Sequence, residues 1–584
     1  VIVKRQLPNR RKLPLSTTSL PIRILLVSPR PEDIHAGYIN HRSSALPLVE
    51  AIEDMGDLGS LIELTILEPP TFTALENALK TAKESGEPFH VVHFDGHGVY
   101  NPLYGLGELC FEKPEDTDKL FERRTQIINA EKIAEVMKDH RIPIVFLEAC
   151  QSAMVEGDPT ASVATKLLEE GVSSVIAMSY SVLVKSASIF AEAFYDELMK
   201  GSHVGSAMVA GQKKLFDDPY RLDIMGAGKL NLMDWFIPVL YQEERDPQLF
   251  KELTQREIRN FQDTKRQPNF GELPEPPKHT FIGRSKELLA CERLLHDKPY
   301  VVIRGQGGAG KTVLAVELAR WLVRTNRYDR SAFVCMEQYT DARTALDFLG
   351  HQLLGDKWSV AEYKIFDDAM QAVKDELSKQ RTIIVMDNLE SVLADSRIID
   401  ELFSMCQTLT SASSKTHIIF TTREPLPKPF DENAIVLGAL SREDAIELVS
   451  QVLKNAGLKP KEADAGKTPE EIDELVKAVN YHARALVLLA PELSRGGVKA
   501  TTENLHNIMA KLEREHPGER ENSLYASLVL SLNRLPSDVR EKIKPLAMFH
   551  GGANIGVFGL MTELEPDEVN NIFLSLINVG LGEY

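Results

Sequence analysis

The chain has 584 residues, of which 43% are hydrophobic, so it has room for about three or four domains with sizeable cores. Its formal net charge of −18 argues against broad affinity for nucleic acid. No apolar stretch approaches the roughly 18 residues that a membrane helix needs. The five cysteines are scattered without metal or disulfide spacing, which favours a reducing compartment, and we therefore expect a cytoplasmic protein.

Residues 1–22 are predicted to form a basic N-terminal arm, and residues 23–244 a domain in which strands and helices alternate. Predicted strands cover residues 23–28, 61–67, 89–94, 142–147 and 174–178, with a closing strand at 235–241. Helical patterns cover residues 43–55, 71–84, 130–138, 160–170 and 186–200. This alternation predicts a parallel sheet covered by helices on both faces.

A histidine and a cysteine that could act together in catalysis follow apolar runs in this domain. His97 follows an apolar run within FHVVHFDGHG (89–98), and Cys150 ends IPIVFLEAC about fifty residues later, which is also the separation found in caspases. Because parallel sheets place their sites at the carboxyl ends of strands, the two residues form a candidate nucleophile and base. The backbone N–H groups of Gly98 and Cys150 are candidate oxyanion donors, and turns at Asp95–Gly96 and Gly98 are expected to hold the imidazole. The structural alternative is a buried cysteine that acts as a small apolar residue, beside a histidine that is simply hydrogen-bonded.

Glu148 lies two positions before Cys150 on the same predicted strand, so its side chain is expected on the same face. An anion there can pair with a Lys or Arg residue that precedes the cleaved bond. The sequence therefore predicts cleavage after basic residues. The alternative is a surface glutamate paired with a neighbouring cation.

Residues 245–279 are charged and then proline-rich, which predicts a linker, and residues 280–425 form a second α/β unit. There the apolar strand Val301–Ile303 leads into GQGGAGKT at 305–312 and then into a helix, the context that a phosphate-binding loop requires. The predicted nucleotide-binding residues are Arg284, Gly305, Gly307, Gly308, Gly310, Lys311, Thr312, Val313, Asp387 and Arg423.

Thr312 and Asp387 are the predicted Mg²⁺ residues, because a hydroxyl after the lysine and a carboxylate after an apolar strand are typical of such sites. Arg423 ends a third strand and is a candidate sensor of the terminal phosphate. The alternatives are an ordinary strand-ending aspartate and an exposed loop arginine. Glu390 is a weaker candidate for orienting water.

The first domain resembles a CHAT domain, a caspase-like peptidase. The matching strings are HFDGHG (93–98), LEACQSA (147–153), GVSSVIAMSYSV (171–182) and WFIPVLY (235–241). This resemblance implies that His97 and Cys150 are catalytic. In resembling peptidases, an acidic residue at the position of Glu148 accompanies cleavage after basic residues. The resemblance therefore implies the same specificity for this chain.

The second half resembles the NB-ARC branch of the STAND nucleotide switches, which are relatives of immune receptors. FIGR (281–284), Thr-Thr-Arg (421–423) and SLNRLP (531–536) carry the resemblance. Two departures are Ala483, where the family has an adenine-contacting proline, and Asn388, where it has a second acidic residue. The resemblance implies ATP or ADP with Mg²⁺ as cofactors and hydrolysis that is slow.

The overall prediction is a multidomain α/β protein with a caspase-like parallel-sheet domain and a P-loop NTPase domain. A helical domain at 426–515 and a winged-helix domain at 516–584 follow, the latter expected to be truncated and to precede missing sensor repeats. The resemblance implies a homo-oligomer when active, an unknown trigger and a protein substrate in prokaryotic defence or regulated cell death, with a gasdermin-like protein as one candidate. The alternatives are a non-proteolytic STAND signalling scaffold and a winged-helix ATP-dependent transcription regulator.

Overall fold

The structure is a computed structural model of the chain. It describes residues 5–6, 20–101, 106–151, 159–178, 183–224, 228–242, 246–251, 254, 256–259, 268–276, 281–411, 415–455, 469–515, 525, 528–529, 532–533, 535–549, 553–578 and 581. Most of the predicted basic arm and the last residues of LEACQSA and GVSSVIAMSYSV lie outside these ranges. Contacts divide the chain into two compact units, the first comprising residues 1–222, 229–267 and 324–326 and the second the remainder.

The first unit contains a nine-stranded sheet in the order β1-β11-β8-β7-β4-β2-β3, with β5 and β6 continuing from β4. The strands are β1 (Arg5–Gln6), β2 (Ile22–Val27), β3 (Ile62–Ile66), β4 (Val91–Asn101), β5 (Leu106–Glu112), β6 (Thr125–Asn129), β7 (Ile144–Gln151), β8 (Ser174–Met178) and β11 (Pro238–Gln242). A separate ribbon joins β9 (Tyr220–Ile224) and β10 (Gly228–Asn231). The central strands β3, β2, β4, β7 and β8 are mutually parallel, and β11 closes the edge antiparallel to β8. The predicted parallel sheet and closing strand are therefore confirmed.

Six helices accompany this sheet: α1 (Ala45–Asp54), α2 (Phe72–Glu84), α3 (Ala130–Asp139), α4 (Pro159–Glu169), α5 (Val184–Met199) and α6 (Val204–Asp217). The first five confirm the predicted helical patterns. Side chains of α2, α3 and α4 pack on one face of the sheet, against residues such as Phe94 and Leu147. On the other face Phe146 packs against the rings of Phe190 and Phe194 in α5. The sheet is thus covered on both faces, as predicted.

Strand β4 is longer than predicted. The sequence predicts a strand that ends at Phe94 followed by turns at Asp95–Gly96 and Gly98, but β4 continues to Asn101. The prediction of turns is wrong because β5 pairs antiparallel with the end of β4, from Gly98↔Leu109 to Asn101↔Leu106. His97 therefore lies inside a strand, paired with β7 and one residue before the pairing with β5 begins.

The second unit contains a five-stranded parallel sheet in the order β13-β14-β15-β12-β16. The strands are β12 (Tyr300–Gly305), β13 (Arg330–Cys335), β14 (Thr382–Asp387), β15 (Thr416–Thr422) and β16 (Ala434–Leu437). Every residue of β14 is buried, as expected for a strand with helices on both sides. The second α/β unit predicted from the sequence is confirmed.

The helices of this sheet are α7 (Ser285–Asp297), α8 (Lys311–Arg324), α9 (Ala342–Leu354), α10 (Phe366–Leu377) and α11 (Ser396–Ser411). A helical array follows with its own core, formed by α12 (Arg442–Asn455), α13 (Pro469–Ala478), α14 (Ala483–Leu488) and α15 (Ala490–Glu515). Helix α15 is interrupted at Gly497, where φ is 75°.

The C-terminal part contains α16 (Ser537–Lys542), α17 (Ile555–Thr562) and α18 (Pro566–Asn578) around a small core that includes Phe558 and Ile572. Among the residues described from 535 onward, none forms a strand, and the predicted start of the winged helix lies largely outside the described ranges. The predicted winged helix therefore stays a prediction.

The first described end of the predicted linker has buried side chains, and the second is mostly exposed but hydrogen-bonded to the second unit. Leu249, Phe250 and Ile258 are buried, and Val204 N–H donates to the carbonyl of Pro247. Ser331 N–H donates to the carbonyl of Asn269 in the second unit. Within the described part of the chain, the helices are too short or too polar to span a membrane.

Candidate functional site

Strands β4 and β7 bring the two candidate catalytic positions together. They are parallel neighbours, and their register pairs the Cα of His97 with the Cα of Cys150. Neighbouring strands lie roughly 4.8 Å apart, so the two backbones are adjacent. Both residues follow the apolar part of their strands. The sequence prediction that they meet at the carboxyl side of the sheet is in agreement with this register.

The tautomer of His97 follows from its surroundings. His97 Nε2 lies 2.7 Å from the carbonyl oxygen of Gly37, which can only accept a hydrogen bond, so Nε2 carries the proton. Nδ1 is buried and has no hydrogen-bond partner among the described residues. Burial is the main cause that lowers the pKa of this imidazole. His97 is therefore a neutral imidazole whose free nitrogen, Nδ1, can accept a proton.

Asp95 shares the face of β4 with His97, because side chains two residues apart in a strand point the same way. Its Oδ2 accepts a hydrogen bond from Ser28 Oγ at 2.9 Å and forms a buried ion pair with Arg30. Arg30 also donates to the main-chain carbonyl of Asp95 at 2.8 Å. The negative charge of Asp95 beside His97 is therefore neutralised by Arg30.

Glu148 is buried and belongs to a chain of three polar side chains. Its Oε2 lies 3.3 Å from His93 Nε2, and His93 Nδ1 lies 3.3 Å from the hydroxyl of Tyr195. Burial, followed by the charge of Glu148, raises the pKa of Tyr195, so the phenol keeps its proton and donates it to Nδ1. His93 therefore donates from Nε2 to Glu148. Among the described residues, no Lys or Arg forms an ion pair with this carboxylate, which differs from the surface pairing considered as the alternative.

The oxyanion donors stay a prediction. Gly98 lies between two strands, paired with Leu109 on β5 and Gln151 on β7. A Cβ at Gly98 would meet the Cβ of Ala149 at 3.4 Å, an ordinary contact. Space alone therefore does not require glycine at this position.

The phosphate-binding loop has the geometry that the sequence predicts. It connects the end of β12 with α8, and both Gly308 (φ 72°) and Gly310 (φ 94°) adopt left-handed backbone conformations. Such angles are accessible to glycine at little cost. Val313, which the sequence also predicts to be part of the site, lies in the first turn of α8 and is 42% exposed.

The two predicted Mg²⁺ residues meet directly. Thr312 Oγ1 donates to Asp387 Oδ1 at 2.8 Å, and Thr421 Oγ1 donates to the same oxygen at 2.6 Å. Burial raises the pKa of Asp387, since a charged carboxylate is poorly solvated there. A hard cation beside the carboxylate would offset that cost. Hydroxyl and carboxylate oxygens are suitable Mg²⁺ ligands, so these residues fit the ion.

Glu390 connects the loop lysine with the candidate sensor. Its Oε1 lies 3.8 Å from Lys311 Nζ and accepts from Arg423 Nε at 3.0 Å. Lys311 is buried and also donates to the carbonyl of Gln306 at 3.3 Å. The two cations predicted to contact phosphate therefore converge on one carboxylate, which places Arg423 near the loop.

Arg284 is buried and contacts the same loop from beside the end of the neighbouring strand β16. Its guanidinium donates to the carbonyls of Ala309 at 3.2 Å and Gly438 at 2.6 Å, and it pairs with Glu287. The arginine thereby ties the phosphate loop to the segment after β16. The predicted proximity of Arg284 to the loop is in agreement with these contacts.

His482 joins the helical array to the phosphate loop. Its Nε2 donates to the carbonyl of Gly307 at 3.0 Å, while Nδ1 accepts from Ala485 N–H and caps α14. Arg484 N–H donates to the next loop carbonyl, that of Gly308. The sequence pattern drew attention to Ala483 alone, and the contact made by the neighbouring His482 was not predicted.

Several residues of the peptidase-like site were also missed. They are Arg30, Gly37, His93 and Tyr195, while Asp95 was predicted only as a turn residue. One signal was present in the sequence: the string HFDGH alternates polar and apolar or glycine residues, which places three polar side chains on one face of a strand. The partners on other elements carry no comparable pattern.

The two sheets and their sites define a caspase-like peptidase fold and a P-loop nucleotide-binding fold. Comparison with protein families agrees with this assignment. Residues 5–260 match the CHAT domain, and residues 285–459 match the NB-ARC domain. The chain thus carries a peptidase-like CHAT domain followed by an NB-ARC domain, which binds ATP or ADP. A comparison with curated protein sequences gave no match.

Solved structures that resemble part of the chain are distant. A STAND protein with a tetratricopeptide repeat sensor from Pyrococcus horikoshii is 18% identical, with 54% of this chain and 41% of that one covered and a TM-score of 0.35. The Aeropyrum pernix ORC1 protein in complex with DNA is 16% identical, with 53% and 86% covered and a TM-score of 0.28. Domain III of the Thermotoga maritima replication initiation protein DnaA is 14% identical, with 44% and 93% covered and a TM-score of 0.26.

Proposed function

We propose that the chain is a nucleotide-regulated cysteine endopeptidase in which Cys150 is the nucleophile and His97 the base. The observation that carries the proposal is the register that pairs these two positions on adjacent strands. The tautomer of His97 adds to it, because a neutral imidazole with an unpartnered Nδ1 is suited to accept a thiol proton.

The chemical steps follow from these roles. Nδ1 of His97 takes the thiol proton of Cys150, and the thiolate attacks the peptide carbonyl carbon. Backbone N–H groups of Gly98 and Cys150 stabilise the oxyanion that forms. His97 then gives its proton to the departing amine, which leaves a thioester. Water, deprotonated by His97, attacks the thioester and releases the acid and the free thiol.

We further propose that Glu148 selects Lys or Arg before the cleaved bond. Its carboxylate is buried, lies 3.3 Å from His93 Nε2 and forms no ion pair with a Lys or Arg among the described residues. A buried anion is stabilised strongly when a cation binds it. A basic substrate side chain would supply that cation.

The variant Glu148→Gln tests this specificity, because it keeps the size of the side chain and removes its charge. Loss of a charge-assisted hydrogen bond should lower kcat/KM on an Arg reporter peptide by about tenfold to a hundredfold. Cleavage of an Ala reporter should change little. Glu135→Gln, at an exposed position on α3, is the matched control. Equal cleavage after Arg, Asp and Ala by the wild type would refute the proposal.

The NB-ARC domain is proposed to govern the peptidase through bound nucleotide. Thr312 and Asp387 would hold Mg²⁺, which neutralises phosphate charge when bound, and Lys311 and Arg423 would contact the outer phosphates. Asn388 in place of a second acidic residue supports slow hydrolysis. Homo-oligomerisation, an unidentified trigger, a cytoplasmic location and a protein substrate in immunity or cell death complete the proposal. A gasdermin-like protein is one candidate substrate.

A further inference from the structure

Arg30 lies where two parts of the candidate peptidase site meet. One is β4, which carries His97. The other is the segment between β2 and α1, which carries Gly37. We propose that Arg30 is a positioning residue: its guanidinium holds this segment against β4, so that the Gly37 carbonyl keeps His97 in the reactive tautomer. The proposal rests on the proposed peptidase function.

The guanidinium first binds the segment that carries Gly37. Nε donates to the carbonyl of Asn40 at 3.3 Å. Nη2 donates to the carbonyl of His41 at 3.4 Å and lies 3.5 Å from Ser43 Oγ. These contacts lie only a few residues beyond Gly37, whose carbonyl accepts from His97 at 2.7 Å.

The same group binds β4 two residues before His97. Nη1 donates to the main-chain carbonyl of Asp95 at 2.8 Å, and Nη2 pairs with its carboxylate. The backbone of Arg30 is fixed as well, since its N–H donates to the buried carboxylate of Glu112 at 3.0 Å. One buried side chain therefore bridges strand and segment.

The arrangement requires arginine. A guanidinium carries donors in a rigid planar fork, whereas a lysine carries one point-like ammonium group. An ammonium at this position can neutralise Asp95 but cannot reach the carbonyls on both sides. Charge compensation and positioning are therefore separable by substitution.

The charges next to His97 provide a second readout. Burial is the largest cause of its lowered pKa, the Gly37 carbonyl raises it, Arg30 lowers it and Asp95 raises it. Other titratable groups near His97 in the register are Glu148 and Cys150 on β7 and Glu108 and Cys110 on β5. Substitutions that keep both charges or remove both leave the net charge beside His97 unchanged, so a fall of its titration midpoint then reports loss of the Gly37 contact. A change in its tautomer then reports positioning alone.

The test uses the full chain with ¹⁵N-labelled histidine. Two variants are compared with the wild type, Arg30→Lys and the double variant Arg30→Met with Asp95→Asn. In both, the Nε2–H form of His97 should give way to a mixture of tautomers. The kcat on a reporter peptide should fall by about tenfold to a hundredfold, with little change in KM. The titration midpoint of His97 should fall further below the wild-type value in Arg30→Lys, because the Gly37 contact that raises its pKa is weakened.

The control is Arg221→Lys, which removes a second buried guanidinium, one that pairs with Asp234. It should leave the tautomer and the kcat unchanged. A wild-type tautomer and kcat in Arg30→Lys would overturn the proposal, as would equal losses in both lysine variants. If the wild type cleaves no peptide, the peptidase proposal fails, while the tautomer measurement still decides the role of Arg30.

Discussion

The contact between His482 and the phosphate loop predicts that substitution of this histidine weakens nucleotide binding. His482→Asn separates the two hydrogen bonds of this side chain. Asparagine is among the best residues for capping a helix, so α14 keeps its cap. Its shorter side chain cannot span the 3.0 Å contact that the imidazole makes with the carbonyl of Gly307. The variant therefore removes one contact to the loop and leaves the helix start in place.

The expected loss is about one hydrogen bond, or about 1 kcal/mol, which corresponds to roughly fivefold weaker nucleotide binding. The reason is preorganisation of the loop. His482 and Arg484 N–H bind the carbonyls of Gly307 and Gly308, and these contacts help to fix the backbone whose N–H groups bind phosphate. A fluorescent ADP analogue measures both the equilibrium affinity and the dissociation rate. Thermal unfolding of the same samples checks that the fold is retained.

The matched variant is His482→Ala, which loses the cap as well as the loop contact. It should bind ADP no more tightly than His482→Asn and should unfold at a lower temperature, because loss of a cap costs about 1 kcal/mol. Wild-type ADP affinity and dissociation in His482→Asn would refute the reasoning. The helical array would then not contribute to the loop geometry.

Three further outcomes are expected. Gly308→Ala should weaken ADP binding more than His482→Asn does, because the new Cβ would lie 2.6 Å from the imidazole of His482 at a φ of 72°. Thr421→Val removes the 2.6 Å hydrogen bond to Asp387, so the pKa of that carboxyl should rise further and the Mg²⁺ requirement, measured by titrating Mg²⁺ into ADP binding, should rise about tenfold. His97 should titrate below its ordinary value of 6.5 in a ¹⁵N spectrum, since burial disfavours the imidazolium; a midpoint above 6.5 would contradict this.

Local patterns in the sequence account for much of the fold. The apolar runs, the glycine-rich loop and the helical periodicity each depend on neighbouring residues, so the strands and helices around them were predictable. The length of β4 was not, because its last residues are extended only through pairing with β5. A strand that pairs through a hairpin needs no apolar run of its own.

The candidate sites divide in the same way. The roles of His97, Cys150 and Lys311 could be predicted because each lies in a short sequence motif that is typical of its chemistry. The role of Arg30 depends on the approach of the segment between β2 and α1 to strand β4, which no local sequence pattern indicates. His482 likewise meets the phosphate loop across some 175 positions of sequence, a separation that no local pattern bridges.

The central claim is that a nucleotide site governs a cysteine peptidase in one chain. It is tested most directly by the rate at which the purified chain cleaves an Arg reporter peptide in the presence of ATP and Mg²⁺. The wild type should cleave, whereas Cys150→Ala should lose cleavage with ATP binding intact, and Lys311→Ala should lose both. Cleavage by Cys150→Ala, or cleavage at the wild-type rate by Lys311→Ala without bound nucleotide, would contradict the account.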